Sequence, residues 1–177
     1  MCVIERSPVL ETRRLTLRSP QVEDAPRLAE LANDYDIARM TLRMPHPYAP
    51  KDAEAFVAHV NANDPRRGAT FLMEHEDEGP VGVLGFFYDA DPLPEMGYWV
   101  GRPFWGRGFA TESVEAALVW ASKRWRKKGV FAGHFADNPA SGRVLEKAGF
   151  LYTGERRRRV SKARAAMTDT RMMVWLA

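Results

Sequence analysis

Two alternating apolar runs, Thr70 to Met73 and Val81 to Tyr88, are separated by one short acidic turn, Glu74-His75-Glu76-Asp77-Glu78-Gly79. Parallel neighbours need a crossover of about a dozen residues or more, so these two runs must form an antiparallel hairpin. A purely parallel sheet is thereby excluded. Around the hairpin the chain alternates strand with helix. Leu15 and Leu17 alternate with Thr16 and Arg18, which predicts a first strand. Val22, Ala25, Leu28, Ala29, Leu31 and Ala32 predict an amphipathic helix over Gln21 to Asn33. A second helical patch covers about Tyr35 to Leu42 and stops at Pro45-His46-Pro47, and a third helix covers Lys51 to Asn61.

Beyond the hairpin, Glu95 to Val100 reads as a strand bounded by prolines. The strongest helical pattern follows, with Val114, Ala117, Leu118, Ala121 and Trp125 on one side. Val130 to Ala136 reads as a buried strand. Asn138 then caps a short helix, Pro139 takes its first position, and Gly149 ends it. Strands near Leu151 to Val160 and Thr168 to Leu176 close the chain. The fold class expected is mixed α/β (α+β), one sheet with helices on both faces.

A chain of 177 residues is the size of one domain, here 1–177 with a core over about 9–176. Its one cysteine, Cys2, excludes a disulfide framework and a cysteine metal cage. His46, His59, His75 and His134 show no pair at ligand spacing, so no metal is expected. No apolar run approaches the about 18 residues of a membrane span. The N-terminus MCVIERSPVLETRRL mixes acids with bases around no long apolar core, unlike a signal peptide. A soluble cytoplasmic protein with no membrane partner is expected, as a monomer or homodimer. The net charge of +3 is too mild to imply nucleic acid. The bases are nonetheless crowded into Lys123 to Lys128 and Arg156 to Arg164.

Two motifs carry chemistry. The first is Trp105-Gly106-Arg107-Gly108-Phe109-Ala110-Thr111-Glu112, between a strand and the long helix. Its glycines allow a ligand close to the backbone, and the amides of Arg107, Gly108, Phe109, Ala110 and Thr111 would face a phosphate at a helix N-terminus. An ordinary strand-to-helix turn is the alternative. The spacing is neither a Walker motif nor a complete dinucleotide fingerprint. The second motif is Asn138-Pro-Ala-Ser141-Gly-Arg143-Val-Leu-Glu146-Lys147-Ala-Gly149-Phe150. Asn138 is at least a helix cap, and Ser141 lies one turn in, near the free helix end.

Together, in this order and spacing, the motifs resemble the GNAT acetyltransferase superfamily, in its RimJ/RimL-like branch. That family carries a Gln/Arg-x-x-Gly-x-Gly/Ala loop for the pyrophosphate of acetyl-coenzyme A. Gly108 and Ala110 fill its small positions, while Trp105 stands where Gln or Arg is usual. The Asn-x-x-Ser and Glu-Lys-x-Gly-Phe elements are both present. Leu10-Glu11-Thr12-Arg13-Arg14-Leu15 and Glu95-Met-Gly97-Tyr98-Trp99 also resemble that branch. The resemblance implies a splayed strand pair in a mostly antiparallel sheet, acetyl-coenzyme A as co-substrate, and direct transfer of acetyl to an amine. It implies that the backbone of Val100 meets the pantetheine arm, with Asn138 and Ser141 nearby. Glu95 is the candidate base, or else a solvated acid at a strand start. Ser141 is the candidate for assisting the departing thiolate, or else a locally bonded helix serine.

Other residues keep two readings. Tyr98 and Trp99 point to opposite faces, so one of them at most is expected to line a cleft directly. His134 is a substrate contact or a satisfied core histidine. Trp120 and Trp125 read as packing. Arg143 and Lys147 read as contacts to a 3′-phosphate or as solvated charges. The run Arg156 to Arg159 reads as a solvated face or an acidic partner's site. The acceptor is a protein N-terminal α-amine or a small amine; the only dense acid group, Glu74 to Glu78, sits in a turn away from the cleft, which disfavours a polyamine. A non-catalytic coenzyme A-binding module and a nucleic-acid or ribosome-binding protein are the competing classes. The first needs neither Glu95 nor Ser141, and the second finds no recognition helix or aromatic platform.

Overall fold

The computed structural model describes residues 8–89 and 91–177; Cys2 lies outside them. Eight strands form one sheet: β1 (Leu10–Glu11), β2 (Leu15–Arg18), β3 (Ala69–His75), β4 (Gly79–Phe87), β5 (Glu95–Val100), β6 (Gly129–Phe135), β7 (Leu151–Ser161) and β8 (Ala166–Leu176). Their spatial order is β1-β2-β3-β4-β5-β6-β8-β7. Every pairing is antiparallel except β5 with β6. The helices are α1 (Ala25–Ala32), α2 (Tyr35–Ala38), α3 (Pro50–Ala62), α4 (Phe109–Lys123) and α5 (Pro139–Lys147).

Local chemistry starts each helix. Asp24 closes the turn before α1, accepting from the Gln21 amide at 2.7 Å while paired with Arg18 at 2.8 Å. Pro50 opens α3, and the Asp52 carboxylate accepts from the Ala49 amide at 2.8 Å. Asn138 Oδ1 accepts from the Ser141 amide at 3.2 Å and caps α5, while Gly149 follows that helix at φ +91°.

Two cores result, one on each face of the sheet. On one face Leu28, Val57, Leu72 and Val83 pack beneath α1 and α3. On the other, Phe71, Leu84, Met96, Val114, Leu118 and Leu145 pack beneath α4 and α5. Among the described residues, no helix is long and apolar enough to cross a membrane.

The expected elements are present, with two adjustments. The helical patch expected over Tyr35 to Leu42 stops at Ala38, because the carbonyls beyond it are captured from outside. Arg164 Nε donates to the Arg39 carbonyl at 2.6 Å, Ser161 Oγ to that of Thr41 at 3.1 Å, and the Lys162 amide to that of Leu42 at 3.0 Å. The tip of the β7–β8 hairpin is thus clasped to the segment after α2. Arg164 also forks onto Asp137, at 2.8 and 3.0 Å. The second adjustment concerns Trp125, which lies past the end of α4 and stacks on Trp120 at 5.4 Å.

Arg164→Gln is expected to release the clasp. Amide exchange should rise at residues 39–42 and 161–165 and stay unchanged in β3 and β4. The Arg164 guanidinium holds the Asp137 carboxyl below its usual 3.8. A depressed carboxylate contributes above its unfolded pKa and loses that contribution as pH falls through the folded value. The same exchange signature should therefore appear in the wild type below about pH 4.

Candidate active site

The parallel ladder of β5 and β6 holds for two residue pairs, Glu95 with Phe131 and Met96 with Ala132. Past them the strands part, with Gly97 to Val100 on one side of the gap and Gly133 to Phe135 on the other. The Gly101 amide donates to the Val81 carbonyl at 2.8 Å, and in an antiparallel ladder such bonds alternate. Odd-numbered residues of β5 therefore bond to β4, while the amides and carbonyls of Tyr98 and Val100 face the gap. The Val100 carbonyl is taken by Trp105 Nε1 at 2.7 Å, which leaves its amide free for a ligand. Trp105 thus ties the glycine turn to the end of β5.

The resulting cleft, of about 1250 Å³, runs through the sheet. Both Tyr98 and Trp99 line it, contrary to the expectation that at most one would. Alternation does put them on opposite faces, but the splay opens both faces into one space.

At one end of the cleft stands the N-terminus of α4. Gly108 takes φ +80° as its cap, a left-handed conformation that side chains resist. The amides of Phe109, Ala110 and Thr111 have no intrahelical acceptor and point out of the helix. The Phe109 side chain is buried, so that residue offers only its main chain. Arg107, unlike Gly108 to Thr111, does not line the cleft; its guanidinium stacks over Phe109 at 4.8 Å and pairs with Glu78 at 3.2 Å. Glu112 is already occupied by Thr12 and Arg14.

Across the gap, Ser141 Oγ lies 2.8 Å from the Tyr98 hydroxyl, which also reaches the Ser141 carbonyl at 3.1 Å. Burial pushes the Tyr98 phenol up to about 12, against the opposing effect of Ser141, so it stays protonated. Asn138 is where the sequence places it, as the cap that fixes this turn. His134 is satisfied on both ring nitrogens, by the Phe135 carbonyl at 2.9 Å and the Tyr152 hydroxyl at 3.0 Å. A Cβ at Gly142 would come within 2.9 Å of His134 Nε2, so glycine there lets α5 sit against that ring. Arg143 and Lys147 line the cleft as exposed charges.

Glu95 is 4% exposed and far from solvated. Arg159 of β7 grips both its carboxylate oxygens, at 2.5 and 2.8 Å. The Glu95 hydrogen bonds hold the Arg159 guanidinium pKa above its ordinary value. Sequence reading missed this partner. Its signal was the alternation within Arg156 to Arg159, which turns Arg157 and Arg159 inward and leaves Arg156 and Arg158 exposed. Beside the pair, the buried Thr170 hydroxyl has no partner among the described residues.

Comparison with known proteins agrees with this geometry. The family described as acetyltransferase (GNAT) domain matches residues 14–151. The uncharacterized N-acetyltransferase YoaA of Bacillus subtilis (strain 168) is 27% identical over 157 residues, covering 83% of this chain and 85% of its own. Mycobacterium smegmatis RimJ in complex with CoA-disulfide superposes with a TM-score of 0.84 at 20% identity, over 96% of this chain and 88% of that one. RimL, a ribosomal L7/L12 alpha-N-protein acetyltransferase in complex with coenzyme A, gives 0.83 at 19% identity, over 96% and 98%.

Removing the charge of Glu95 leaves the largely buried Arg159 guanidinium with only the exposed Asp89, at 3.9 Å, as a counter-ion. Glu95→Gln is expected to lower the unfolding free energy in urea by about 3 kcal/mol. Thr170→Val removes an unsatisfied hydroxyl at constant shape and should leave stability unchanged or raise it.

Proposed function

Since this chain belongs to the GNAT acetyltransferase family, we propose that it moves the acetyl group of acetyl-coenzyme A directly onto a primary amine, an α-amine above all. The observation that carries this reading is the gap between β5 and β6, with free α4 amides at one end and the Ser141–Tyr98 pair on its wall. The residues fit such a co-substrate. A Cβ at Gly106 would meet nothing within 4 Å, so the backbone there is open to close approach. When bound, acetyl-coenzyme A supplies an acetyl group activated as a thioester.

The chain's own groups then divide the work. The amides of Arg107, Gly108, Phe109, Ala110 and Thr111 hold the pyrophosphate, aided by the positive end of α4. The Val100 amide orients the pantetheine arm, and an amide facing the gap is a fixed donor for charge developing on an acyl oxygen. Asn138 fixes the turn that presents Ser141. Ser141 Oγ, backed by the protonated Tyr98 hydroxyl, holds the proton that a departing thiolate needs.

Glu95 receives the amine's proton, directly or through a water. Arg159 already donates to both of its oxygens, which leaves little room for a further proton. That favours an acceptor needing little help. An α-amine has a reference pKa of about 7.7–8.0, against about 10.4 for lysine. RimL, an alpha-N-protein acetyltransferase, acts on an α-amine as well. The reading is of a RimJ/RimL-like enzyme working in the cytoplasm.

Acetyl-coenzyme A should raise Tm by mass action, and NAD or ATP should do much less. Gly108→Val should fold and lose that shift, because a branched side chain resists positive φ and fills the cradle. Ser141→Ala should keep the shift and release thiol about 10²-fold more slowly. A wild-type melting curve unmoved by acetyl-coenzyme A would overturn the reading, and a shift without thiol release for any amine would favour a non-catalytic binding module. With an α-amine acceptor, kcat/KM should climb with pH and level off above about pH 8.

A further inference from the structure

On the α1–α3 side of the gap the cleft carries an unbalanced charge. Four carboxylates line it; three are paired with arginines and the fourth is held by a backbone amide. Asp36 binds Arg39 at 2.8 Å and Arg102 at 2.6 Å. Asp137 binds Arg164, and Glu95 binds Arg159. Asp52 is turned to the Ala49 amide, where it caps α3.

Two cations on the same side are not engaged. Arg43 and Lys162 line the cleft with no carboxylate within 4 Å among the described residues. The Arg43 guanidinium lies over the Phe87 ring at 4.8 Å. Phe87 is the cross-strand partner of Glu95, and its ring edge is 3.4 Å from where a Gly97 Cβ would stand. Arg43 is therefore held at the Glu95 end of the gap. Lys162 joins the same strip, since its amide bonds the carbonyl of Leu42, the neighbour of Arg43.

We infer that the acceptor amine carries a carboxylate, received by Arg43 and Lys162, and that amines bearing further ammonium groups are turned away. The inference rests on the acyl-transfer reading above. A guanidinium flat on an aromatic ring keeps its in-plane N–H donors for an anion, and a carboxylate can accept two of them. An additional ammonium would meet two unneutralised cations, and among the lining carboxylates only Asp52, committed to its helix cap, has no arginine of its own. The carboxylate has two possible sources, the α-carboxylate of an amino acid or the side chain of an acidic N-terminal peptide.

Matched acceptors test this. An amino acid is compared with its carboxamide, an N-terminal peptide carrying Asp at its second position with its Asn counterpart, and spermidine is run alongside. Rates are compared at equal concentrations of neutral amine. The same compounds are titrated into coenzyme A-loaded protein, read by Tm, so that slow turnover hides nothing. The carboxylate member of at least one pair should be preferred by about 10-fold or more. A preference in the first pair assigns the α-carboxylate, and one in the second assigns the side chain. Arg43→Gln, and Lys162→Gln to a smaller degree, should bring the preference toward parity through KM, with acetyl-coenzyme A affinity unchanged. Equal or better use of the carboxamides or of spermidine overturns the inference, as does a preference that survives both substitutions, or carboxylates that neither react nor bind. If acetyl-coenzyme A itself fails to bind, the acyl-transfer reading falls as well, which separates the two failures.

Discussion

The ladder between β5 and β6 ends after two residue pairs, and most of what is distinctive in the molecule follows from that early end. A strand in the middle of a sheet ordinarily spends its main-chain groups on both neighbours. Here the amides of Tyr98 and Val100 face a space instead of a strand. One carbonyl finds an indole, at Trp105, and the remaining donors are left for a ligand. The two motifs acquire a meaning from the same gap. The α4 N-terminus stands at its end and α5 along its side, so a long, narrow molecule with an anionic head would touch both.

The fold was legible because each element carries a local cause. The acidic turn forces the β3–β4 hairpin, prolines bound β5, and the Asn138-Pro139 and Gly149 signals delimit α5. The limits of α2 and α4 were harder to read. The residues after Ala38 continue a helical pattern, and only a distant hairpin withdraws their carbonyls. No window around Tyr35 to Leu42 contains that information. Trp125 fits the helical period of α4 and still falls beyond its end, because stacking on Trp120 does not require helical backbone.

The candidate site was legible where its geometry rests on main chain or on caps, as at Gly108 and Asn138. It was less so where the geometry depends on pairs distant in sequence. The contact between Tyr98 and Ser141 spans 43 residues, and that between Glu95 and Arg159 spans 64. The basic run Arg156 to Arg159 looks like a solvated patch when counted and like a working strand when its alternation is followed. One of its arginines pairs with the carboxylate on the cleft floor, and two others remain in water. Counting charges therefore misjudges this segment, while placing them on a pleat does not.

The spatial order of the sheet has a consequence for how the molecule holds together. β1 to β5 lie side by side in chain order, a meander, and β6, β8 and β7 make a second block from the remaining chain. The hairpins β3–β4 and β7–β8 close short loops, whereas β2 meets β3 only across the segment that holds α1, α2 and α3. The short seam between the blocks offers the fewest main-chain bonds of any junction between the long strands. Across that seam the blocks share one core, in which Met96 of β5 packs in the same cluster as Val130 and Ala132 of β6 and Leu145 of α5. Side-chain packing therefore holds the two halves together where main-chain bonds do not, and a ligand lying across the seam would act as its missing rungs.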